Sequence, residues 1–140
     1  MDVENELITQ FRAAGRRLTR ARRAILETLA GSKYPLSASE LHEVLKNESR
    51  PADLVTVYRT LAALKKMGLV SQLELQEGQF RYEVRQGRAH HHHIRCKKCG
   101  RIADLMLCPL RKILALVERE TWFVIEGHVL EFFGSCSKCR

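Results

Sequence analysis

The sequence predicts an α+β fold in which an N-terminal winged helix-turn-helix is followed by a small α/β domain. Within the first 88 of the 140 residues, amphipathic helical patterns are followed by an alternating hairpin pattern. Histidine and cysteine are concentrated in the remaining part of the chain. A polar, glycine-containing segment, residues 86–89, separates the two parts. We therefore divide the chain into residues 1–88 and residues 89–140.

Three segments of the first domain have the apolar spacing of amphipathic helices. The first covers residues 18–29. The second begins at Ser37-Ala38-Ser39-Glu40, which has the form of a capping box, a pair of side chains that bind free backbone amides reciprocally. The third follows Pro51 and ends before Gly68, a residue type that commonly ends helices. Three short helices in succession are typical of a helix-turn-helix domain.

Two strand-like runs, residues 69–75 and 79–84, predict a hairpin that would form the wing. In a winged helix the third helix can enter the major groove of DNA. Its first turns are expected to expose four polar side chains: Thr56, Tyr58, Arg59 and Thr60. We expect Tyr58 and Arg59 to reach base edges, because arginine can bind guanine through two hydrogen bonds.

The charge of the chain indicates a polyanionic partner. The formal net charge is +8, and residues 11–23 contain six arginines and no acid. A solvated helix face usually carries charges of both signs, so the missing acids favour nucleic acid as the partner. Phosphate contacts are expected from three arginines of this segment: Arg17, Arg20 and Arg22.

The sequence carries no membrane signature. No apolar run approaches the ~20 residues that a membrane span needs. The acidic segment 1–6 differs from a secretory signal, which would be basic and then apolar. We expect a cytoplasmic protein, without a membrane partner, whose thiols stay reduced and available to metal.

The second domain is predicted to contain three strands and one helix. The strands are expected at residues 92–95, 101–105 and 128–133, and the helix at residues 110–120. A domain of about fifty residues has little apolar core of its own. A metal that cross-links its start and its end would supply part of the folding free energy.

Two CxxC pairs, Cys96/Cys99 and Cys136/Cys139, lie near the two ends of this domain. Each pair can bind one tetrahedral ion, and two pairs complete the four-thiolate coordination of structural zinc. The alternatives are two disulfides or four unrelated core cysteines. Disulfides are disfavoured because the five cysteines leave one without a partner.

Four consecutive histidines, residues 90–93, precede the first CxxC pair. Alternate side chains of a β-strand point to opposite faces. His91 and His93 are therefore expected on one face, with His90 and His92 on the other. The alternation predicts two metal sites in addition to the cysteine site.

Four motifs in this order resemble the ferric uptake regulator superfamily. They lie at residues 18–26, 56–61, 90–100 and 128–136. The resemblance implies a homodimeric repressor that binds double-stranded operator DNA through the winged helix and dimerises through the C-terminal domain. It also implies that Tyr58 and Arg59 lie in the recognition helix and that the four CxxC cysteines hold a structural zinc.

The resemblance further implies two sites built on the histidine run. The first, which we call the hinge site, would hold the regulatory metal through four residues: Glu83, His91, His93 and Asp104. The other, which we call the second site, would use three histidines: His90, His92 and His128. The glutamate that usually completes the second site falls on Arg111, a cation that cannot bind metal. Cys108, three residues earlier, is the alternative fourth ligand.

The ligand types predict the metal and hence the function. Nitrogen and sulfur ligands favour zinc over manganese, although imidazole with carboxylate also suits Fe(II). We predict a zinc-responsive repressor of metal-homeostasis genes that is not an enzyme. An iron- or manganese-dependent uptake regulator or a peroxide-stress regulator of the same superfamily is the alternative. A zinc hydrolase or an RNA-binding zinc ribbon is disfavoured, because the sequence lacks an HExxH motif and clustered aromatic residues.

Overall fold

The computed structural model describes residues 2–140, which form two compact units. The first unit ends at Arg88, and the second spans Ala89–Arg140. Both units combine helices with a small sheet, which confirms the predicted α+β class.

The first unit is a winged helix with one helix and one strand more than the sequence predicted. Within residues 2–88 the elements are α1 (Val3–Ala13), α2 (Arg20–Gly31), β1 (Leu36–Ser37), α3 (Ala38–Asn47), α4 (Leu54–Lys66), β2 (Val70–Glu74) and β3 (Phe80–Val84). The strands pair antiparallel in the order β1-β3-β2, and β2 with β3 is the predicted wing. Strand β1 is not predicted from the sequence, because two residues are too few to show an alternating pattern.

Helix α1 is difficult to detect from periodicity because its buried face is narrow and its other residues are mostly polar. That face consists of Leu7, Ile8 and Phe11, which join the apolar core of the unit. The helix begins after Asp2, whose carboxylate accepts a hydrogen bond from the amide of Glu4 at 3.2 Å. Such a cap satisfies one of the free amides of the first turn.

The ends of α3 and α4 agree with the predicted signals. The Ser37 hydroxyl accepts from the Glu40 amide at 3.1 Å, and the Glu40 carboxylate accepts from the Ser37 amide at 3.2 Å, which completes the capping box. Gly68 follows α4 with a φ of 72°, a left-handed conformation that glycine adopts without strain. The third helix predicted from the sequence is therefore α4.

A buried arginine joins the wing to α3. Arg81 on β3 donates to the two carboxylate oxygens of Glu40 at 2.7 and 3.0 Å and to those of Glu77 at 2.6 and 3.0 Å. Burial lowers the pKa of Arg81, but the hydrogen bonds with Glu77 and Glu40 outweigh burial and raise the pKa above its usual value. This charged network holds the wing in a fixed position against the helices.

The second unit is a three-stranded sheet with one helix. Within residues 89–140 the elements are β4 (His92–Cys96), β5 (Ile102–Leu105), α5 (Arg111–Thr121) and β6 (Glu131–Gly134). Strand β4 lies in the centre, antiparallel to β5 and parallel to β6. The predicted start of the last strand at residue 128 is wrong, because the ladder with β4 begins at Glu131.

Apolar side chains of the second unit are largely exposed. Within the described part of this unit, no residue of α5 is buried, and Ile113 and Leu116 are about half exposed. After the helix, Trp122 is 92% exposed, and Phe123 and Val124 are also exposed. None of the helices in residues 2–140 is long and apolar enough to cross a membrane.

Candidate metal centres and DNA-binding surface

The four CxxC cysteines converge at one end of the second unit. Their sulfur atoms all lie within 4.8 Å of one another. Cys96 ends β4 and Cys136 follows β6, and the parallel register that pairs Cys96 with Gly134 brings these two strand ends together. No disulfide forms among the described cysteines. Four convergent thiols are a fitting donor set for tetrahedral zinc.

Backbone amides favour the thiolate form at this cysteine site. Hydrogen bonds from the Cys99 and Cys136 backbone lower the pKa of Cys96 to about 5, and the Cys136 amide lies 3.4 Å from the Cys96 sulfur. Hydrogen bonds with Cys136 and Cys99 raise the pKa of Cys139 to about 12. Negative charges on adjacent thiolates repel one another, which opposes deprotonation of all four thiols. A dication is therefore needed to hold all four as thiolates.

Three histidines and Cys108 form a second cluster in the same unit. Their ligand atoms lie within 4.8 Å of one another. The Nε2 atom of His92 is 3.0 Å from that of His90 and 3.4 Å from that of His128, and the Cys108 sulfur is 3.5 Å from His128 Nε2. The four residues predicted for the second site are thus adjacent in the structure. Arg111 is exposed on the first turn of α5.

The tautomer of His92 is set by its surroundings. Its Nδ1 lies 3.1 Å from the carbonyl oxygen of Leu130, which can only accept, so Nδ1 carries the proton and Nε2 presents a lone pair to the cluster. Burial lowers the pKa of His92, and the neighbouring His90 and His128 lower it further. A neutral imidazole held by a carbonyl at its other nitrogen is the usual arrangement of a metal-binding histidine.

His93 lies on the opposite face of β4 between two carboxylates. It is 2% exposed, and the strand register places Asp104 of β5 on one side and Glu131 of β6 on the other. His93 Nε2 is 3.7 Å from Asp104, and His93 Nδ1 is 3.5 Å from Glu131. The ring of His91 lies 4.8 Å from that of His93. The predicted separation of odd and even histidines is therefore present.

Glu131 is not one of the site residues predicted from the sequence. It lies beside His93 because β4 and β6 pair in parallel, and no local sequence pattern reveals that pairing. The remaining predicted hinge residue, Glu83, lies on β3 of the first unit, where its carboxylate accepts a hydrogen bond from Arg88 at 2.8 Å.

Helix α4, the recognition helix expected from the sequence, exposes Tyr58 and Arg59 and partly buries Thr56. Thr60 is buried, and its hydroxyl donates to the Thr56 carbonyl at 2.7 Å. The prediction that Thr60 is exposed is therefore wrong, because it falls on the same face as the core residues Val57 and Leu64.

The predicted phosphate-binding arginines lie in the first turn of α2 and in the loop before it. Arg17 and Arg20 are exposed. Arg22 is partly buried, and its Nη1 donates to the Arg17 carbonyl at 2.7 Å. The Thr19 side chain caps the helix by accepting from the Arg22 amide at 3.2 Å. The basic segment is thus held in a defined conformation.

A winged helix followed by a unit that gathers cysteines and histidines defines a DNA-binding protein with metal sites. The sequence model of the Ferric uptake regulator family matches residues 13–133, and the chain belongs to this family. The peroxide-responsive repressor PerR of Staphylococcus aureus (strain USA300) is 31% identical over 141 residues, which cover 99% of this chain and 94% of that protein.

Solved structures of the family share the fold. The Helicobacter pylori ferric uptake regulator, described with three functional metal binding sites, superposes with a TM-score of 0.81 at 24% identity, over 98% of this chain and 91% of that one. The ferric uptake regulator from Francisella tularensis with iron has a TM-score of 0.77 at 28% identity, over 89% of this chain and 95% of that one.

Membership makes this chain a metal-responsive transcriptional regulator, of a family whose members bind DNA and act as dimers. Such regulators are generally not enzymes, which disfavours the hydrolase alternative.

Proposed function

We propose that the chain is a zinc-responsive, dimeric repressor of metal-homeostasis genes. The observation that carries this proposal is the cluster of three imidazoles and one thiol around His92. Oxygen ligands suit manganese and magnesium, whereas a nitrogen and sulfur set suits zinc. The neutral tautomer of His92, held by Leu130, supports metal binding at this cluster rather than a chance grouping of side chains.

The cysteine site would have a structural role. Four thiolates leave no open coordination position, which is typical of zinc that stabilises a fold. The site ties the end of β4 to the end of β6. Metal exchange at this site would unfold the second unit, so it is poorly suited to sensing.

The hinge site would sense metal together with the second site, whose nitrogen and sulfur ligands favour zinc. His91 and His93 face the same side of β4, and Asp104 lies beside His93. We propose that Glu131 orients His93 by accepting the proton of Nδ1, which leaves Nε2 for the metal. The family resemblance adds Glu83 from the first unit.

DNA binding would be coupled to this metal through linkage. A metal that binds one conformation more tightly than another shifts the population toward that conformation. The usual coupling of ~1–3 kcal/mol corresponds to roughly a 5–150-fold change in operator affinity. In a dimer, two α4 helices would meet half-sites one helical turn apart, with the exposed Tyr58 facing base edges.

The dimer would form through the second unit. Leu116 on α5 and the segment from Trp122 to Val124 expose apolar surface that a monomer would keep in water. Permanent homodimer interfaces resemble a domain core cut in half, with large apolar areas. The family's dimeric state supports this use of the surface.

A peroxide-stress or iron-dependent regulator is the second candidate. Imidazole with carboxylate at the hinge site, His93 beside Asp104, also suits Fe(II). The similarity to a peroxide-responsive repressor supports the same alternative.

Operator binding at buffered free metal separates the candidates. Purified protein is first analysed for bound metal, and its affinity for duplex DNA and for an RNA of equal length is then measured with Zn(II), Fe(II) and Mn(II). Zinc binds nearly every nitrogen and sulfur site more tightly than iron or manganese, so occupancy alone is not decisive. Our proposal requires zinc to raise duplex affinity. Activation by iron or manganese, with zinc inactive, would contradict it, as would preference for RNA.

A further inference from the structure

A cavity of about 320 Å³ lies in the first unit, where α1, the following loop and the start of α2 meet one face of α4. Half of the residues that line it are cationic, and we call them the basic pocket: Arg16, Arg22, Arg59 and Lys66. The other lining residues are small or apolar: Phe11, Thr60, Ala62 and Ala63. None of the described residues that line the cavity is acidic.

Local structure places these cations around one space. Arg59 and Lys66 are seven residues apart on α4, which puts them two turns apart on the same face. The side chain of Arg22 is held by its hydrogen bond to the Arg17 carbonyl. Between the cations, Ala62 and Ala63 have side chains too short to fill the space.

Internal anions do not neutralise the basic pocket. Within residues 2–140, Arg16, Arg59 and Lys66 take part in no salt bridge. Asp53 is the nearby acid: its carboxylate accepts from the Thr56 amide at 2.7 Å, and this bond, more than the charge of Arg59, lowers its pKa. Asp53 caps α4 and does not line the cavity. A cleft lined by charges of one sign concentrates counter-ions of the other.

Phosphate is the anion that suits this arrangement. A guanidinium presents paired donors that match two phosphate oxygens, and lysine adds a point charge. Several cations around a cavity of this size fit the multiple charges of adjacent phosphates better than the single charge of a carboxylate.

We propose that the basic pocket is a binding site for phosphate groups. Two sources share this chemistry, the backbone of bound DNA and a free oligophosphate. In either case Arg59 binds phosphate rather than the base edge that the sequence alone predicts. A free oligophosphate in the pocket would compete with DNA, because the same cations would be occupied. The DNA part of this proposal rests on the proposed function.

Binding of free oligophosphate is tested with inorganic tripolyphosphate and the full-length protein holding its zinc. Calorimetry compares the wild type with Arg16→Gln and Lys66→Gln, and with the control Lys46→Gln, which removes the same charge from an exposed position on α3. We expect each pocket variant to weaken binding about tenfold or more, because each loses hydrogen bonds to a charged group, and the control to bind normally. Chelation of metal by tripolyphosphate would affect all variants equally.

Binding of backbone phosphate is tested with an operator duplex and a scrambled duplex over a salt series. We expect Arg59→Gln and Arg16→Gln to weaken both duplexes by the same factor and to reduce the salt slope by about one each. Tripolyphosphate should displace DNA from the wild type and less readily from the pocket variants. Circular dichroism checks that every variant is folded.

The outcomes are distinguishable. Uniform loss of DNA affinity without tripolyphosphate binding supports a pocket for backbone phosphate, and tripolyphosphate binding that depends on Arg16 and Lys66 supports the free ligand. The proposal is overturned if tripolyphosphate binds all variants alike or not at all while Arg59→Gln weakens only the operator. Metal-dependent DNA binding would survive that result, so failure of the pocket would not be failure of the proposed function.

Discussion

The winged helix of residues 2–88 and the unit of residues 89–140 differ in what their interiors contain. The first buries a continuous apolar cluster drawn from four described helices and the wing. In the second, the buried side chains include His92, His93 and Cys96, whereas α5 buries none. The first unit can therefore be stabilised by its own core. We expect the second to depend on metal and on a partner surface for its stability.

Loss of the structural metal should produce the largest difference between the units. We expect Cys96→Ser to release zinc and to unfold the second unit, because a zinc site of this kind contributes about 10–16 kcal/mol of apparent binding free energy in small domains. The dimer should dissociate, while the helical signal of the winged helix persists. Zinc content, sedimentation and circular dichroism measure the three effects.

Cys108→Ser is the matched control for this experiment, since Cys108 lies outside the cysteine site. It should retain the structural zinc. A stable Cys96→Ser dimer with its full zinc content would show that the four thiols do not hold a structural ion.

Truncation of one leucine in each unit sharpens the comparison. Leu61 on α4 is 1% exposed, and Leu61→Ala should lower the free energy of unfolding of the first unit by about 2–5 kcal/mol. Leu116 on α5 is 46% exposed in the single chain, so Leu116→Ala should instead weaken dimerisation. Denaturant unfolding and sedimentation at several concentrations separate the effects. Equal loss of monomer stability in both variants would contradict the assignment of α5 to an interface.

Glu131 tests whether the second unit is built around metal ligands. We expect Glu131→Gln to weaken metal activation of DNA binding by about 10–100-fold, because His93 would lose the carboxylate that orients it. Glu126→Gln is the control, since Glu126 is an exposed acid of the same unit. Operator binding against free metal gives the midpoint for each. An unchanged midpoint in Glu131→Gln, with normal zinc content, would rule out the orienting role.

The difference between the units also explains what the sequence could predict. In the winged helix, the capping box of Ser37 and the glycine after α4 are local signals, and both ends were confirmed. The sequence does not predict helix α1, because a narrow buried face gives weak periodicity, and it places Thr60 on the wrong side of α4.

In the second unit, the alternation of a strand was enough to separate odd from even histidines. The approach of Glu131 to His93 depends on a parallel pairing between strands distant in sequence, and no periodicity encodes that pairing. The clustering of Arg59 with Arg16 likewise depends on how α1, its loop and α4 pack.

The smallest expected effect concerns the thiol of the second site. If Cys108 binds metal, Co(II) added to protein that already holds its structural zinc should show a near-ultraviolet thiolate-to-cobalt charge-transfer band, because the other four thiols are occupied. Cys108→Ser should lose this band and weaken binding at this site about tenfold, with a smaller effect on operator binding than Glu131→Gln. His91→Ala, which alters the opposite face of β4, should keep the band. If the wild-type protein binds Co(II) but shows no charge-transfer band, only His90, His92 and His128 remain as ligands of the second site. The preference for zinc would then lose its sulfur donor, and the iron-responsive alternative would gain support.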